Sequence, residues 1–275
     1  MTRLRLQELV KDRFGIKAES MQSNRIDLAL ARATAALRVS PDAAVDWLAT
    51  AGTDQAVWQD LIELLLVRET SFFRHNAWFA SLEDQVLAPL IAAKRAGVKR
   101  LNVWSAGCAS GEEPYSIAIA LDGMLRGENW EVRIIGTDVN ERALDAARTG
   151  RYRAWALREV DAALRARYFT EVESDVFEIA KSIREKVSFY AVNLADTPGI
   201  ANIDLLVCRN VLIYLTPEHQ AGLARRLAEC LASGGWLAVA PVEANSEWFP
   251  GLRPLRLPSA IFFQYARTGE ELSLV

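Results

Sequence analysis

The most informative part of this chain is the stretch Leu101-Asn102-Val103-Trp104-Ser105-Ala106-Gly107-Cys108-Ala109-Ser110-Gly111-Glu112-Glu113-Pro114-Tyr115. Its first residues suit a buried strand, the small residues after them suit a tight turn, and the apolar run after Tyr115 suits a helix. Strand, turn and helix in this order open the nucleotide sites of doubly wound α/β folds. Gly107 and Gly111 have no Cβ, so the backbone of this turn can come close to a ligand.

Two acids at the end of this turn restrict the kind of ligand. Glu112 and Glu113 stand where a helix dipole tolerates negative charge, but they would repel a pyrophosphate. The turn therefore favours a cationic or neutral nucleoside, and S-adenosylmethionine (SAM), with its sulfonium and ammonium groups, fits that description. The turn alone is also compatible with an ordinary strand-to-helix connection that is merely capped by acids.

The composition is that of an ordinary globular protein. The chain has 275 residues, of which 51% are hydrophobic, and a formal net charge of −3, so no nucleic-acid partner is expected. There is no apolar run of about 18 residues and no apolar secretion signal, so we expect a cytoplasmic protein without membrane insertion. The few, widely spaced cysteines and histidines predict neither disulfides nor a metal site: Cys108, Cys208, Cys230, His75 and His219.

The N-terminal quarter of the chain differs from the rest. Residues 1–66 show helix-type apolar periodicity, and no strand pattern appears before residue 100. We therefore expect a small helical domain there. Its first 40 residues contain eight basic and four acidic side chains. These charges either lie on ordinary solvated helix faces or form an electrostatic dock for an acidic partner.

A second group of polar residues lies in the aromatic-rich segment 68–80, which follows the helical domain. Thr70 and Arg74 are four residues apart among phenylalanine and tryptophan side chains. A guanidinium in such surroundings is partly desolvated and needs an anion nearby. Arg74 is therefore either part of a site or a surface charge.

Further candidate residues stand where predicted strands end. Asp138 ends the strand 131–138, where an acid accepts hydrogen bonds from ribose hydroxyls or caps the next helix. Asn210 and Tyr214 follow a buried strand at 205–208. Because ligands bind beyond the carboxyl ends of parallel strands, these side chains should face the crevice beside the glycine turn.

A weaker signal comes from Asn193 and Leu194, which follow another predicted strand and could frame an adenine. The segments 168–172, 176–179 and 187–190 alternate like short antiparallel strands and suggest a small β-subdomain.

The predicted fold is α/β: a Rossmann-like doubly wound sheet with a reversed C-terminal strand. We expect a helical domain with its linker at residues 1–75 and a ligand-binding domain at 76–275. The latter should include the β-subdomain at about 166–190, and residues 267–275 should form a frayed tail.

The combined motifs resemble the CheR-type chemoreceptor methyltransferases over nearly the whole chain. The resemblance rests on Thr70-Ser71-Phe72-Phe73-Arg74, Gly111-Glu112-Glu113-Pro114-Tyr115-Ser116 and Cys208-Arg209-Asn210-Val211-Leu212-Ile213-Tyr214. It implies transfer of a methyl group from SAM to glutamate side chains of receptor helices, with S-adenosylhomocysteine (SAH) as product. It also implies a helical N-terminal domain, a class I methyltransferase domain and an inserted β-subdomain.

The resemblance also implies roles for individual residues. Arg74 would lie near the reacting centre, and Tyr214 would lie beside the transferring methyl group. The basic N-terminal helices would meet the receptor. The expected cofactor-binding residues are Thr70, Arg74, Gly107, Glu112 or Glu113, Asp138, Asn193, Leu194, Arg209, Asn210 and Val211.

Two departures from the family pattern concern details of the substrate. Many members carry Gly-His-Ser-Glu after a late strand, whereas this chain has Ala240-Pro241-Val242-Glu243. The loop 171–175 is short and lacks glycine, so we expect no tether to a receptor's C-terminal pentapeptide, and we expect a monomer. The alternatives are a class I methyltransferase that acts on another substrate, and a non-catalytic module that senses SAM or SAH.

Overall fold

A seven-stranded, mostly parallel sheet forms the centre of the molecule. The computed structural model describes residues 1–66, 69–196 and 199–265. The strand order in the large sheet is β6-β2-β1-β7-β8-β10-β9. These strands are β1 (Arg100–Ala106), β2 (Glu131–Asp138), β6 (Val187–Ala191), β7 (Ile203–Cys208), β8 (Leu231–Val239), β9 (Leu252–Arg256) and β10 (Ile261–Tyr265).

The register brings the predicted site residues to one edge of the sheet. Strand β1 runs parallel to both β2 and β7, and Ser105 pairs with Gly136 on one side and Val207 on the other. The residues after these three strands therefore emerge together. Strand β10 runs antiparallel to β8 and β9, which confirms the predicted reversed strand at the C-terminal end of the fold.

Helices cover both faces of the sheet, as the doubly wound fold requires. Alternate residues of β1 enter different cores: Leu101 and Val103 face one layer, and Trp104 and Ala106 face the other. The helices are α1 (Thr2–Phe14), α2 (Ser23–Leu37), α3 (Pro41–Thr50), α4 (Ala56–Leu65), α5 (Asn76–Leu82), α6 (Ala88–Arg95), α7 (Glu112–Met124), α8 (Glu141–Thr149), α9 (Ala162–Tyr168), α10 (Lys181–Arg184) and α11 (Pro217–Glu229).

The predicted N-terminal helices are confirmed as α1 to α4, and they share a core with the sheet. Leu6, Trp58 and Leu61 are buried in the same cluster as Trp104 and Leu237. The segment after α1 also contacts the loop that follows β7, because Ile16 and Leu215 form an isolated β-bridge. The N-terminal helices are thus one layer of the α/β fold.

The small sheet differs in part from the prediction. It has the order β3-β5-β4, with β3 at Arg151–Arg153, β4 at Phe169–Glu173 and β5 at Val176–Ile179. The expectation that 187–190 joins it was wrong, because β6 pairs in parallel with β2 in the large sheet. Alternation of apolar and polar residues shows that a strand such as β6 has one buried face, but it does not identify the strand with which it pairs. Strand β3 was not predicted, because three residues are too few to show an alternating pattern.

Two further boundaries affect how the helices join the sheet. Helix α5 begins at Asn76 and continues through a π-helical segment, Glu83–Leu87, into α6. Strand β8 begins at Leu231, two residues after α11 ends at Glu229. The expected tail at 267–275 lies outside the described residues. Among the described residues, no helix is long and apolar enough to cross a bilayer.

Candidate functional site

A cleft of about 1270 Å³, counted with the space open to solvent, lies beyond the carboxyl ends of β1, β2 and β7. All the expected site residues line it except Glu112. They are Thr70, Arg74, Gly107, Glu113, Asp138, Asn193, Leu194, Arg209, Asn210, Val211 and Tyr214.

The glycine turn is held in a shape that only a residue without a Cβ accepts easily. Gly107 has a φ of 75°, and a Cβ there would overlap Cγ2 of Val211. The backbone N–H groups of Gly107 and Cys108 both donate to the carbonyl oxygen of Thr137, at 2.7 and 2.9 Å. The turn after β1 is therefore fixed to the end of β2, and its backbone forms part of the cleft wall.

Asp138 connects the same two loops from the cleft side. Its carboxylate accepts hydrogen bonds from the backbone N–H of Ala109 and of Asn140, each at 2.9 Å. The alternative role as a helix cap falls to Asn140, whose side chain accepts from the N–H of Ala143. Asp138 thus carries its charge at the edge of the cleft.

The two acids of the opening stretch have different positions. Glu113 lines the cleft, accepts a 2.8 Å hydrogen bond from Ser105 Oγ and lies 3.4 Å from an Arg209 nitrogen. Glu112 is 4% exposed, and its carboxylate accepts from Ser110 Oγ instead. Of the two alternatives, Glu113 is therefore the one that lines the cleft, and Glu112 does not. Consecutive helical residues point about 100° apart, which gives the two neighbouring acids different surroundings.

Arg209 links the acid of one loop to the backbone of another. It is 7% exposed, stacks on Trp78 with 3.9 Å between its guanidinium carbon and the ring centroid, and donates to the carbonyl oxygen of Arg74 at 3.1 Å. Burial lowers the pKa of Arg209, and burial raises the pKa of Glu113 while Arg209 and Ser105 oppose that rise. Arg209 and Ser105 thus compensate the buried charge of Glu113 incompletely, so a cation placed beside Glu113 would stabilise its charged form.

Arg74 sits in a strained turn. Its neighbours Phe73 and His75 have φ values of 52° and 65°, in the left-handed region that costs a residue with a side chain about 1 kcal/mol or more. The N–H of Phe73 donates to Ser116 Oγ at 2.9 Å. The Arg74 guanidinium donates to the Glu69 carbonyl oxygen and lies 3.9 Å from the Glu69 carboxylate. Arg74 therefore lies beside a largely exposed carboxylate at the mouth of the cleft, at the outer limit of an ion pair.

The small sheet fastens this turn from outside. Phe72 packs edge-on against Tyr152 and Phe169, with ring centroids 4.8 Å away in each case. Its N–H donates to the carbonyl oxygen of Ala156 at 2.9 Å. Glu159 accepts from Ser71 Oγ at 3.0 Å and from the N–H of His75 at 2.8 Å. The position of Arg74 thus depends on the β-subdomain.

The N-terminal helices close the opposite side of the cleft, which the sequence did not reveal. Phe14 and Ile16 line it, and the backbone N–H of Lys17 donates to the carbonyl oxygen of Tyr214 at 2.9 Å. The side-chain amide of Asn193 donates to the carbonyl oxygen of Arg13 at 2.8 Å. Asn193 therefore lines the cleft, while its side-chain amide binds the backbone of the N-terminal segment.

Glu243 is a further residue of this region that was not predicted from the sequence. This buried acid accepts hydrogen bonds from the backbone N–H groups of Asn210 and Val211. One feature of the sequence could have indicated it. Ala240-Pro241-Val242-Glu243 differs from the Gly-His-Ser-Glu pattern in its first three residues but keeps the final glutamate.

Comparison with known proteins agrees with this geometry. Residues 68–250 match the family described as CheR methyltransferase, SAM binding domain. Over 271 residues the chain is 33% identical to "Probable biofilm formation methyltransferase WspC" of Pseudomonas aeruginosa, covering 97% of this chain and 62% of that protein. It is 34% identical over 193 residues to "Chemotaxis protein methyltransferase 1" of the same organism, covering 67% of this chain and 69% of the relative.

A third relative is the "Chemotaxis protein methyltransferase" of Listeria monocytogenes, 33% identical over 190 residues, with 69% of this chain and 70% of the relative covered. The chain thus spans 62% to 70% of the length of these three relatives. The family match covers the glycine turn, Asp138, Arg74 and Tyr214 in one continuous segment. The chain therefore belongs to the CheR methyltransferase family and carries that family's SAM-binding domain.

Proposed function

We propose that this protein transfers a methyl group from SAM to glutamate carboxylates on the cytoplasmic helices of chemoreceptors, forming glutamate methyl esters. The observation that carries the proposal is that Arg74 and Tyr214 line the same cleft as Gly107, Glu113 and Asp138. A cation site, a ribose-type acid and a carboxylate-binding arginine are thus neighbours. That combination fits a cationic nucleoside donor and an anionic acceptor.

The cleft has the chemical features that SAM requires. The incompletely compensated charge of Glu113 suits the ammonium of the methionine part. Asp138 suits the ribose hydroxyls. Val139, Leu194 and Val211 offer apolar surface for an adenine, and the backbone at Gly107 allows close approach. Thr70, Asn193, Arg209 and Asn210 complete the wall.

The residues at the mouth need only orient the acceptor. A glutamate is already ionised near neutral pH, so no general base is required. When bound, SAM supplies a methyl group on a positively charged sulfur, which a carboxylate oxygen can attack by direct displacement. Arg74 holds the carboxylate by charge-assisted hydrogen bonds, and the Tyr214 hydroxyl restricts its orientation. This is catalysis by proximity and alignment.

We also propose that the receptor docks on the N-terminal helices, but through fewer basic residues than the eight counted in the sequence. Arg3 and Arg5 form ion pairs with aspartates of the same domain, and Lys11 pairs with Glu8. Arg13 and Arg25 donate to backbone carbonyl oxygens. Within the described part of the chain, no ion pair is seen for Lys17, Arg32 or Arg38. We therefore propose that the last two, which are exposed, meet an acidic receptor helix.

The absence of a pentapeptide tether and the monomeric state also stay predictions. The turn between β4 and β5 consists of Ser174 and Asp175 alone, with Asp175 at a φ of 63°. This turn is short and contains no glycine, which is the departure from pentapeptide-binding family members on which the prediction rests. A binding assay with receptor C-terminal pentapeptides should therefore give no saturation at micromolar concentrations.

Affinity for SAH should depend on pH through Glu113. Because burial raises the pKa of Glu113, the carboxyl becomes neutral at a higher pH than an ordinary glutamate does. A neutral carboxyl no longer attracts an ammonium, so calorimetry should show SAH affinity falling as the pH is lowered, and this fall should begin at a higher pH than the titration of an ordinary glutamate would give. Glu113→Gln should bind SAH weakly with a flat pH profile. The exposed control Glu229→Gln should follow the wild type, and a pH-dependent Glu113→Gln would contradict the assignment.

Methyl transfer itself can be tested with tritiated SAM and purified cytoplasmic fragments of chemoreceptors from the same genome. We expect a receptor fragment to become labelled. Mild base should then release this label as methanol, as it does from a methyl ester. Arg74→Ala should give no such label. SAH binding without transfer to any fragment would favour a sensing module, and base-stable label would favour another acceptor group.

A further inference from the structure

Glu243 lies outside the cleft but contacts the loop that forms one wall of it. It is 1% exposed and ends the short 3₁₀ segment Pro241–Glu243 after β8. One carboxylate oxygen accepts from the N–H of Val211 at 2.7 Å and of Ile213 at 3.3 Å. The other accepts from the N–H of Asn210 at 2.8 Å and of Ala240 at 3.1 Å. Four backbone donors thus converge on one buried side chain.

These contacts determine how the chain leaves β7. Asn210 has a φ of 58°, so the strand direction is broken immediately after Arg209. The chain then forms the 3₁₀ segment Leu212–Tyr214. The N–H groups of residues 210, 211 and 213 do not enter a sheet ladder, and a buried donor without an acceptor costs about 1–3 kcal/mol. Glu243 supplies acceptors for all three, which makes this irregular backbone stable.

The loop held in this way carries much of the proposed site. Asn210, Val211 and Tyr214 line the cleft, whereas Glu243 does not. Packing alone would not favour an acid here, since burying a carboxylate is costly unless it is fully hydrogen-bonded. Burial raises the pKa of Glu243, although its four N–H contacts favour the charged form. The gain that offsets this burial is the defined position of the loop.

We propose that Glu243 is a positioning residue, which sets Asn210 and Val211 against the cofactor and aims Tyr214 at the acceptor carboxylate. The part that concerns Tyr214 rests on the proposed function; the part that concerns Asn210 rests only on SAM and SAH binding. Glu243 acts through the backbone and never touches substrate.

The first test uses SAH binding by calorimetry and needs no receptor. Glu243→Gln keeps the shape but offers one acceptor oxygen where the carboxylate has two. It should lower SAH affinity roughly tenfold, the effect of losing hydrogen bonds to a charged group. Asn210→Gly should also weaken binding, because glycine keeps the left-handed backbone and removes only the side chain. In the double variant the second change should add less than about threefold, because contacting residues are coupled.

The second test repeats the cycle on methyl transfer with Tyr214→Phe. Glu243→Gln should lower transfer roughly 30-fold, and Tyr214→Phe should have little additional effect once the loop is released. Glu247→Gln, an exposed acid four residues further on, serves as the matched control and should behave like the wild type in both assays. Melting temperatures are recorded throughout, and Glu243→Asp replaces Glu243→Gln if the latter does not fold.

Each outcome decides the proposal. Fully multiplicative effects in the cycles, or a Glu243 variant with a lower melting temperature but wild-type SAH affinity, would show that Glu243 only stabilises the fold. If the wild type methylates no receptor fragment, the proposed function fails. The SAH cycle would then still support or overturn the positioning of Asn210.

Discussion

Replacing Arg74 by alanine should lower methyl transfer by about 10³-fold and leave SAH affinity within a few-fold of the wild type. The guanidinium lies at the mouth of the cleft and already interacts with the carboxylate and carbonyl oxygens of Glu69. In the proposed reaction it holds the acceptor carboxylate in line with the methyl group. Without it, the carboxylate loses its charge-assisted contacts and its alignment.

The fold should tolerate this change, because the contacts that hold the turn are made by other atoms. The Arg74 carbonyl oxygen accepts from Arg209, and the N–H groups of Phe73 and His75 keep their acceptors in any variant at position 74. Arg74→Lys should recover only part of the rate, since an ammonium lacks the planar fork that pairs with a carboxylate.

Transfer rates with a saturating receptor fragment, together with SAH calorimetry, would test this expectation. Arg153→Ala is the matched control, because Arg153 belongs to β3 of the small sheet and its side chain is 76% exposed. A rate within tenfold of the wild type for Arg74→Ala would remove Arg74 from the catalytic role. A parallel loss of SAH affinity would assign it to cofactor binding instead.

Asp138→Ala should weaken SAH binding by about 100-fold, which is a larger effect than the roughly tenfold loss expected for Glu243→Gln. In the proposed function the carboxylate accepts hydrogen bonds from the ribose hydroxyls, and it also ties the glycine turn to the next loop through Ala109 and Asn140. Its loss therefore removes direct contacts and loosens the wall that bears Gly107. Asp138→Asn, which keeps one acceptor oxygen, should lose less.

The control for this change is Asp145→Ala, an acid of the following helix whose side chain is 68% exposed and pairs with Arg148. It should bind SAH as the wild type does. If Asp138→Ala kept wild-type SAH affinity in calorimetry, the ribose assignment would be wrong. A melting temperature measured without SAH separates loosening of the loop from loss of the ligand contact.

Much of the site could be predicted because it follows from local sequence. Gly107 directly follows β1, Asp138 ends β2 and Asn210 comes two residues after β7, and parallel strands bring their carboxyl ends to one edge of the sheet. The choice between Glu112 and Glu113 needed the exact phase of α7, which periodicity gives only to within a residue or two.

The remaining features depend on contacts between distant segments. Strand β6 looks like any half-buried strand until it is seen beside β2. The side-chain amide of Asn193 donates to the backbone carbonyl oxygen of Arg13, 180 residues earlier. Glu243 holds a loop some 30 residues before it. No period or spacing in one sequence encodes such pairs, since they arise only when the layers pack.

The attachment of Phe72 and His75 to the β-subdomain has a consequence for building hybrid proteins. A small subdomain of this kind can be mistaken for an independent module, which could be replaced by the corresponding subdomain of a relative. Here residues 151–180 and 71–76 form one interlocking unit, joined by aromatic packing and by Glu159. A chimera that imports the foreign subdomain alone would break the fit around Arg74. A working exchange must transplant both segments together.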